Sequence, residues 1–256
     1  MTTGPQSRPW PGPMEQELIP YQPWSDWTVR SLLVLAPHPD DEVFGCGGLL
    51  VLARRQGWPC HVVVVSDGGA GGDMATREAE SLAAARVLGG DEGARSIEFW
   101  RQPDRGVLPG APLTERIVRA AAVHAADWVV APSPLEVHPD HRAVCRAAID
   151  AVASLQAQGR ATRLVFCEIG QPLIANALVD ITEVARLKAL ASQCFASQLT
   201  QQDYHQHVEG LNRQRSYTLG PTVTHAEAFW IVDPQDLADG ADGVMAGLAR
   251  ALDRRL

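Results

Sequence analysis

The chain has 256 residues, 46% of them hydrophobic and 20% charged, with a formal net charge of -8 at pH 7. That profile describes an ordinary globular protein, long enough to bury a substantial core. The acidic balance and the lack of a basic stripe argue against a nucleic-acid backbone as a main partner.

Residues 1–30 contain several Pro and Trp residues and read as an extended arm, followed by one domain over 31–256. "SLLVLA" (31–36) is a short apolar run suited to a strand buried on both faces. "GGLLVLARRQG" predicts a helix ending at Gly57, and "CHVVVVSDGG" a β-branched strand halted by glycines. "DMATREAESLAAARVLGG" predicts a helix with a Gly-Gly stop. "SIEFW" is a strand, "APLTERIVRAAAVHAA" a helix and "DWVVAPSP" a strand broken by prolines. "HPDHRAVCRAAIDAVASLQAQG" continues as a helix and "RLVFCEI" as a strand. The last third carries helical segments around 183–199 and 203–215, an "EAFWIVD" strand and a helix near 234–254. Strands alternating with long helices predict an α/β fold, a Rossmann-like mostly parallel sheet flanked by helices with right-handed crossovers.

Five cysteines, at 46, 60, 145, 167 and 194, are widely spaced, odd in number and form no Cys-x-x-Cys pair. Reduced, buried thiols in a cytoplasmic protein fit that pattern. The N-terminus has no apolar core of signal-peptide length, and no run of eighteen apolar residues predicts a membrane span.

The chemistry concentrates at two strand ends. "PHPDDE" (37–42) follows the first strand, and "EVHPDH" (136–141) comes shortly after the "DWVVAPSP" strand. Ligands of open α/β sheets bind beyond the carboxyl ends of the strands, so both clusters are expected in one crevice. Two histidines and a carboxylate would fill three positions of a catalytic divalent metal, leaving one for water. A spare carboxylate could take the proton of that water.

These two motifs together resemble the PIG-L/LmbE-like zinc-dependent N-acetylglucosaminyl de-N-acetylases, and "REAESLAAARVLG", "LKALASQCFASQ" and "HAEAFWI" extend the likeness over most of the chain after residue 31. The resemblance implies that His38, Asp41 and His141 bind the metal and that Asp40 is the general base. His138 would polarise the substrate carbonyl or stabilise the tetrahedral oxyanion, with Asp140 holding its ring. Arg77 and His225 would lie near the substrate. The implied cofactor is zinc, with iron(II) or another divalent metal also accepted. The implied reaction is removal of an N-acetyl group from an N-acetylglucosamine-containing conjugate, small or lipid-linked. A homo-oligomer is compatible with the sequence.

Blander readings exist for each feature taken singly. An isolated Asp40-Asp41 pair reads equally well as a helix N-cap. His205 and His207, two residues apart, do not share a helix face and read as solvated side chains. "SDGGAGGD" (66–73) lacks the signatures of a phosphate cradle and reads as a mobile loop at the crevice rim. Two other functions compete: a metal-containing sugar-binding or regulatory protein without turnover, and a non-haem iron oxygenase using a His-x-Asp and a distant His. Glu42 is the least explained of the four titratable groups in "PHPDDE", with hydrogen bonding to the ligand shell and capping of the following helix both open to it.

Overall fold

The computed structural model describes residues 14–255. Five strands, β1 (Leu32–Ala36), β2 (Cys60–Ser66), β3 (Ile97–Gln102), β4 (Trp128–Pro132) and β5 (Arg163–Cys167), run parallel. Two more, β6 (Ala177–Asp180) and β7 (Ala226–Ile231), complete one seven-stranded sheet in the order β3-β2-β1-β4-β5-β7-β6. β7 is antiparallel to both β5 and β6, so the sheet is mixed at that edge. The four-residue β6 is the strand that the sequence reading lacks.

The helices are α1 (Glu15–Leu18), α2 (Asp41–Arg55), α3 (Met74–Arg95), α4 (Ala111–Val123), α5 (Pro139–Ala157), α6 (Ala185–Ser192), α7 (Ala196–Leu199), α8 (Tyr204–Arg215), α9 (Pro234–Leu237) and α10 (Gly240–Asp253). Strand alternation assigns them to faces. Leu32, Val34, Val62 and Val64 pack with α2, α3 and α6, whereas Leu33, Leu35, Val63 and Val65 pack with α4, α5 and α10. Both faces of β1 and β4 are therefore covered, as their continuous apolar runs require.

Several helix boundaries differ from expectation. The helix expected to start at the Gly47-Gly48 pair begins at Asp41 and passes a kink at Cys46. The Gly89-Gly90 pair bends α3 rather than ending it, with Gly90 at φ +62°. The 183–199 segment divides into α6 and α7, and the 234–254 segment divides at Gly240.

The described part of the N-terminal arm lies along the sheet. The Trp24 amide donates to Leu178 O at 2.7 Å. Trp24 also packs on Trp27 and on Trp128, the first residue of β4, while Trp27 reaches Trp58 just before β2. These tryptophans sit at the amino ends of β2 and β4, away from the strand ends that carry the histidine motifs. Residues 1–13 of the arm lie outside the described residues.

Candidate active site

β1 lies between β2 and β4, so the chain leaves its carboxyl end at the point where the strand order reverses. The turn after Ala36 places Asp40 at φ +132° and ψ -32°, a conformation that L-residues rarely adopt. Three buried contacts hold it there. Glu42 Oε2 accepts the Asp40 N–H at 2.9 Å, and Arg77 donates to Pro39 O at 2.6 Å and to Asp40 Oδ2 at 3.0 Å. Asp41 Oδ2 accepts the His38 amide at 2.9 Å. Asp40 occupies the N-cap position of α2, yet its side chain caps no backbone N–H. Glu42 thus has a structural task, and burial pushes its pKa up to about 7.

The second motif follows β4. His138 is the N-cap of α5, with Pro139 at the first helical position, where its missing N–H costs nothing. His138 Nδ1 accepts from the Asp140 amide at 3.2 Å. His141, within the first turn of α5, reaches the β1 turn. His141 Nε2 lies 3.1 Å from Asp41 Oδ2 and 3.2 Å from His38 Nδ1, and His38 Nδ1 lies 3.2 Å from Asp41 Oδ2. Two imidazole lone pairs and a carboxylate oxygen therefore face one point.

Each imidazole is held from behind by a carboxylate. His38 Nε2 is 3.1 Å from Asp140 Oδ2 and 3.4 Å from Asp104 Oδ1. His141 Nδ1 is 3.3 Å from Glu136 Oε2, in ion-pair range without an aligned hydrogen bond. Carboxylates behind the far ring nitrogens are the usual device for orienting histidine ligands. Burial alone would lower both histidines, but Asp104, Asp140 and Asp41 push His38 up to about 12, and Asp41 and Glu136 push His141 up to about 9. Asp41 is driven well below the carboxylate range, its burial being outweighed by His141 and His38. So much negative charge around two imidazoles favours a cation at their shared point, and a divalent metal would compete with protons for the same lone pairs.

The donor set fits a divalent metal by type and spacing. The ligand atoms of His38, His138 and His141 also lie within 4.8 Å of one another, as do those of His38, Asp104, His138 and Asp140. The mutual distances near 3.1–3.2 Å single out His38, Asp41 and His141 as the tightest trio.

These residues line a crevice of about 640 Å³. Its lining also includes Gln198, Gln201, Gln202, Tyr204, Phe44 and Leu211. Asp40 lines it too, its pKa raised first by burial and then by Asp41, against the opposing pull of Arg77. His138 is lowered by burial and by the two neighbouring histidines, which favours its neutral form.

Six of the eight site residues expected from the sequence line this crevice, and a seventh, Asp140, is buried directly behind His38. Two of those seven have a different task from the one expected. Asp140 does not hold the His138 ring: its carboxylate turns to His38 and to the amides of Arg105 and Val107, at 2.7 Å and 3.2 Å. Arg77 is 3% exposed and spends its guanidinium on Asp40, Pro39 and Gly68. His225 is the exception. It lines a separate small cavity with His205 and Lys188, its Nδ1 2.9 Å from Thr224 Oγ1.

Two further carboxylates escaped sequence reasoning. Glu136 Oε1 accepts the amides of Ile169, Gly170 and Gln171 at 2.9–3.2 Å, pinning the segment after β5. Asp104 Oδ2 accepts the Ala70 amide at 3.0 Å, and hydrogen bonding to His38 lowers its pKa to about 2. The glycine loop does stand at the rim, but it is tethered: Gln198 and Gln201 both donate to Gly71 O, at 3.1 Å and 3.0 Å. His207 lines the crevice and His205 the small cavity, diverging as their spacing implies.

Residues 33–152 match the family described as PIG-L, GlcNAc-PI de-N-acetylase. The chain is 28% identical over 241 residues to a 4-oxalmesaconate hydratase of Pseudomonas putida, covering 80% of this chain and 90% of that protein. It is 27% identical over 235 residues to a probable N-acetyl-alpha-D-glucosaminyl L-malate deacetylase 2 of Bacillus anthracis, covering 81% and 97%. The crystal structure of a conserved protein of Thermus thermophilus superposes with a TM-score of 0.70 at 29% identity, over 79% of this chain and 94% of that one.

Proposed function

We propose that the chain, whose residues 33–152 match the PIG-L family, is a metal-dependent hydrolase that removes an N-acetyl group from an N-acetylglucosamine-containing sugar conjugate. The observation that carries this reading is the meeting of His38 Nδ1, Asp41 Oδ2 and His141 Nε2 beside the buried carboxylate of Asp40. Similarity to a deacetylase of an amino-sugar malate conjugate supports the substrate class. The amide and phenol groups of Gln198, Gln201, Gln202 and Tyr204 suit a polyhydroxylated ligand.

His38, Asp41 and His141 would hold zinc, iron(II) or another divalent cation. Such a cation supplies a Lewis acid for the acetyl oxygen and lowers the pKa of a coordinated water, to roughly 7 for zinc. Asp40 takes the proton of the attacking water. Arg77 holds the Asp40 carboxylate in place as a positioning residue. His138 stabilises the oxygen on which negative charge develops. Its Nδ1 already accepts the Asp140 amide, so the neutral ring carries its proton on Nε2 as a donor. Asp40 then passes its proton to the departing amine, which yields acetate and the free amino sugar. Asp140, Asp104 and Glu136 keep the ligand imidazoles oriented.

A second reading follows from the similarity to a hydratase: the same base and activated water could add across a carbon–carbon double bond. One experiment separates the two. Zinc- or iron-reconstituted protein is given a panel of N-acetylglucosamine conjugates and, separately, unsaturated oxo-dicarboxylates. Metal-dependent release of acetate and amine supports hydrolysis. Loss of the alkene chromophore without acetate release supports hydration.

A further inference from the structure

We propose that Arg105 is a specificity residue that selects conjugates carrying an oxyanion, a carboxylate or a phosphate, outside the acetyl group; this rests on the amino-sugar reading above. Two arginines line the crevice. Arg77 is buried and already bound to two carbonyls and Asp40. Arg105 is exposed, and its guanidinium has no hydrogen bond or ion pair among the described residues.

The backbone under Arg105 is fixed to the metal-ligand shell. Its N–H donates to Asp140 Oδ2 at 2.7 Å, and the Val107 N–H donates to Asp140 Oδ1 at 3.2 Å. The Gly106 amide closes the turn on Pro103 O at 2.9 Å. The carboxylate that orients His38 therefore also sets where the Arg105 side chain begins. Arg105 sits at φ +59°, in the left-handed region that glycine or asparagine enters more cheaply. A long cation placed there against backbone preference points to a use for the side chain.

The acids nearby do not neutralise it. Asp104 is bound to His38 and the Ala70 amide, and Glu136 to three amides and His141. The wall formed by Gln198, Gln201 and Gln202 brings no carboxylate either. What remains at the rim is a free planar fork, which matches a carboxylate or phosphate through paired N–H donors.

The test uses the zinc-loaded full chain and three free-amine probes: methyl α-glucosaminide, carboxymethyl α-glucosaminide and α-glucosamine 1-phosphate. Calorimetry should show at least one anionic probe binding about tenfold tighter than the neutral one. Whichever anion gains identifies the oxyanion. Arg105→Asn, which tolerates the left-handed backbone, should erase the gap, and Arg105→Lys should keep part of it. Equal affinities in the wild type, a gap that survives in Arg105→Asn, or no binding of any probe would overturn the proposal. Acetate release from the N-acetylated probes is measured in parallel. Release without an affinity gap removes the role of Arg105 and leaves hydrolysis standing. A gap lost in Arg105→Asn without any release removes hydrolysis and leaves oxyanion recognition.

Discussion

Arg77 Nη2 donates to Asp40 Oδ2 across 3.0 Å, in a buried ion pair between residues 37 apart in the chain. The same guanidinium holds Pro39 O after β1 and Gly68 O after β2, at 2.6 Å and 3.2 Å. One side chain thus fixes two crevice loops and the carboxylate assigned as base. Arg77→Lys keeps the charge but cannot reach three acceptors with one ammonium. It should lower turnover by about 100-fold through misplacement of Asp40, at unchanged metal content. Arg77→Met leaves a buried carboxylate unpaired and should cost about 3–5 kcal/mol of stability in denaturant titrations. Wild-type turnover in Arg77→Lys would show that the pair does not position the base.

Glu136 joins His141, a proposed metal ligand, to the segment after β5 through three backbone amides. Glu136→Gln keeps an oxygen for those amides and removes the charge facing the imidazole. Metal affinity, measured by competition with a chromophoric chelator, should fall about 10- to 100-fold while the thermal midpoint moves little. An unchanged affinity would remove Glu136 from the metal site.

Lys188 and Glu227 form a buried pair at 2.7 Å beneath the kink of α2. Glu227 accepts the Gly48 and Leu49 amides at 2.7 Å and 2.8 Å, and Lys188 donates to Phe44 O at 2.9 Å. The pair therefore supplies partners to backbone groups that the kink at Cys46 leaves without helical ones. Lys188→Met strands the carboxylate and should cost about 3–5 kcal/mol. Urea denaturation followed by far-UV circular dichroism measures the loss. A loss below about 1 kcal/mol, the range of an exposed pair, would contradict this account.

His61 stacks on His124 with ring centroids 3.6 Å apart, remote from the crevice motifs. Burial and the His124 charge lower the His61 pKa, against a smaller raising effect of Glu98. Between its depressed folded value and the unfolded value near 6.5, the unfolded chain binds more protons. The stability contribution is therefore complete above about pH 6.5 and is lost as pH falls below it. The urea midpoint should decline from pH 7 to pH 5, and His61→Gln should flatten that decline. An equal slope in the variant would assign the pH dependence to other groups.

Much of the sheet was legible because its strands are continuous apolar runs, as in "SLLVLA" and "CHVVVVS", whose burial on both faces leaves a plain signal. β6 was not, since four residues at an antiparallel edge carry too little pattern to stand out from a loop. The start of α2 was hidden by Gly45, Gly47 and Gly48, which depress helix propensity where packing against Cys167, Lys188 and Ile181 demands small residues. The two histidine motifs drew attention to the right strand ends. Their contacts could not be read from neighbours in sequence: Asp140 serves His38, 102 positions away, and not His138 beside it. Asp104 sits in "QPDRG", which reads as a turn, and its nearness to His38 arises where β3 delivers that turn to the crevice. Glu136 gains its task from amides that follow β5, a contact across 33 to 35 residues.

The central claim is that Asp40 serves as the base for an attacking water at the site formed by His38, Asp41 and His141. Single-turnover acetate release from an N-acetylglucosamine conjugate, compared between wild type and Asp40→Asn at equal, measured metal occupancy, tests it most directly. The account predicts a rate lower by about 10²- to 10⁴-fold in Asp40→Asn with metal content unchanged. Release at the wild-type rate from Asp40→Asn would contradict it.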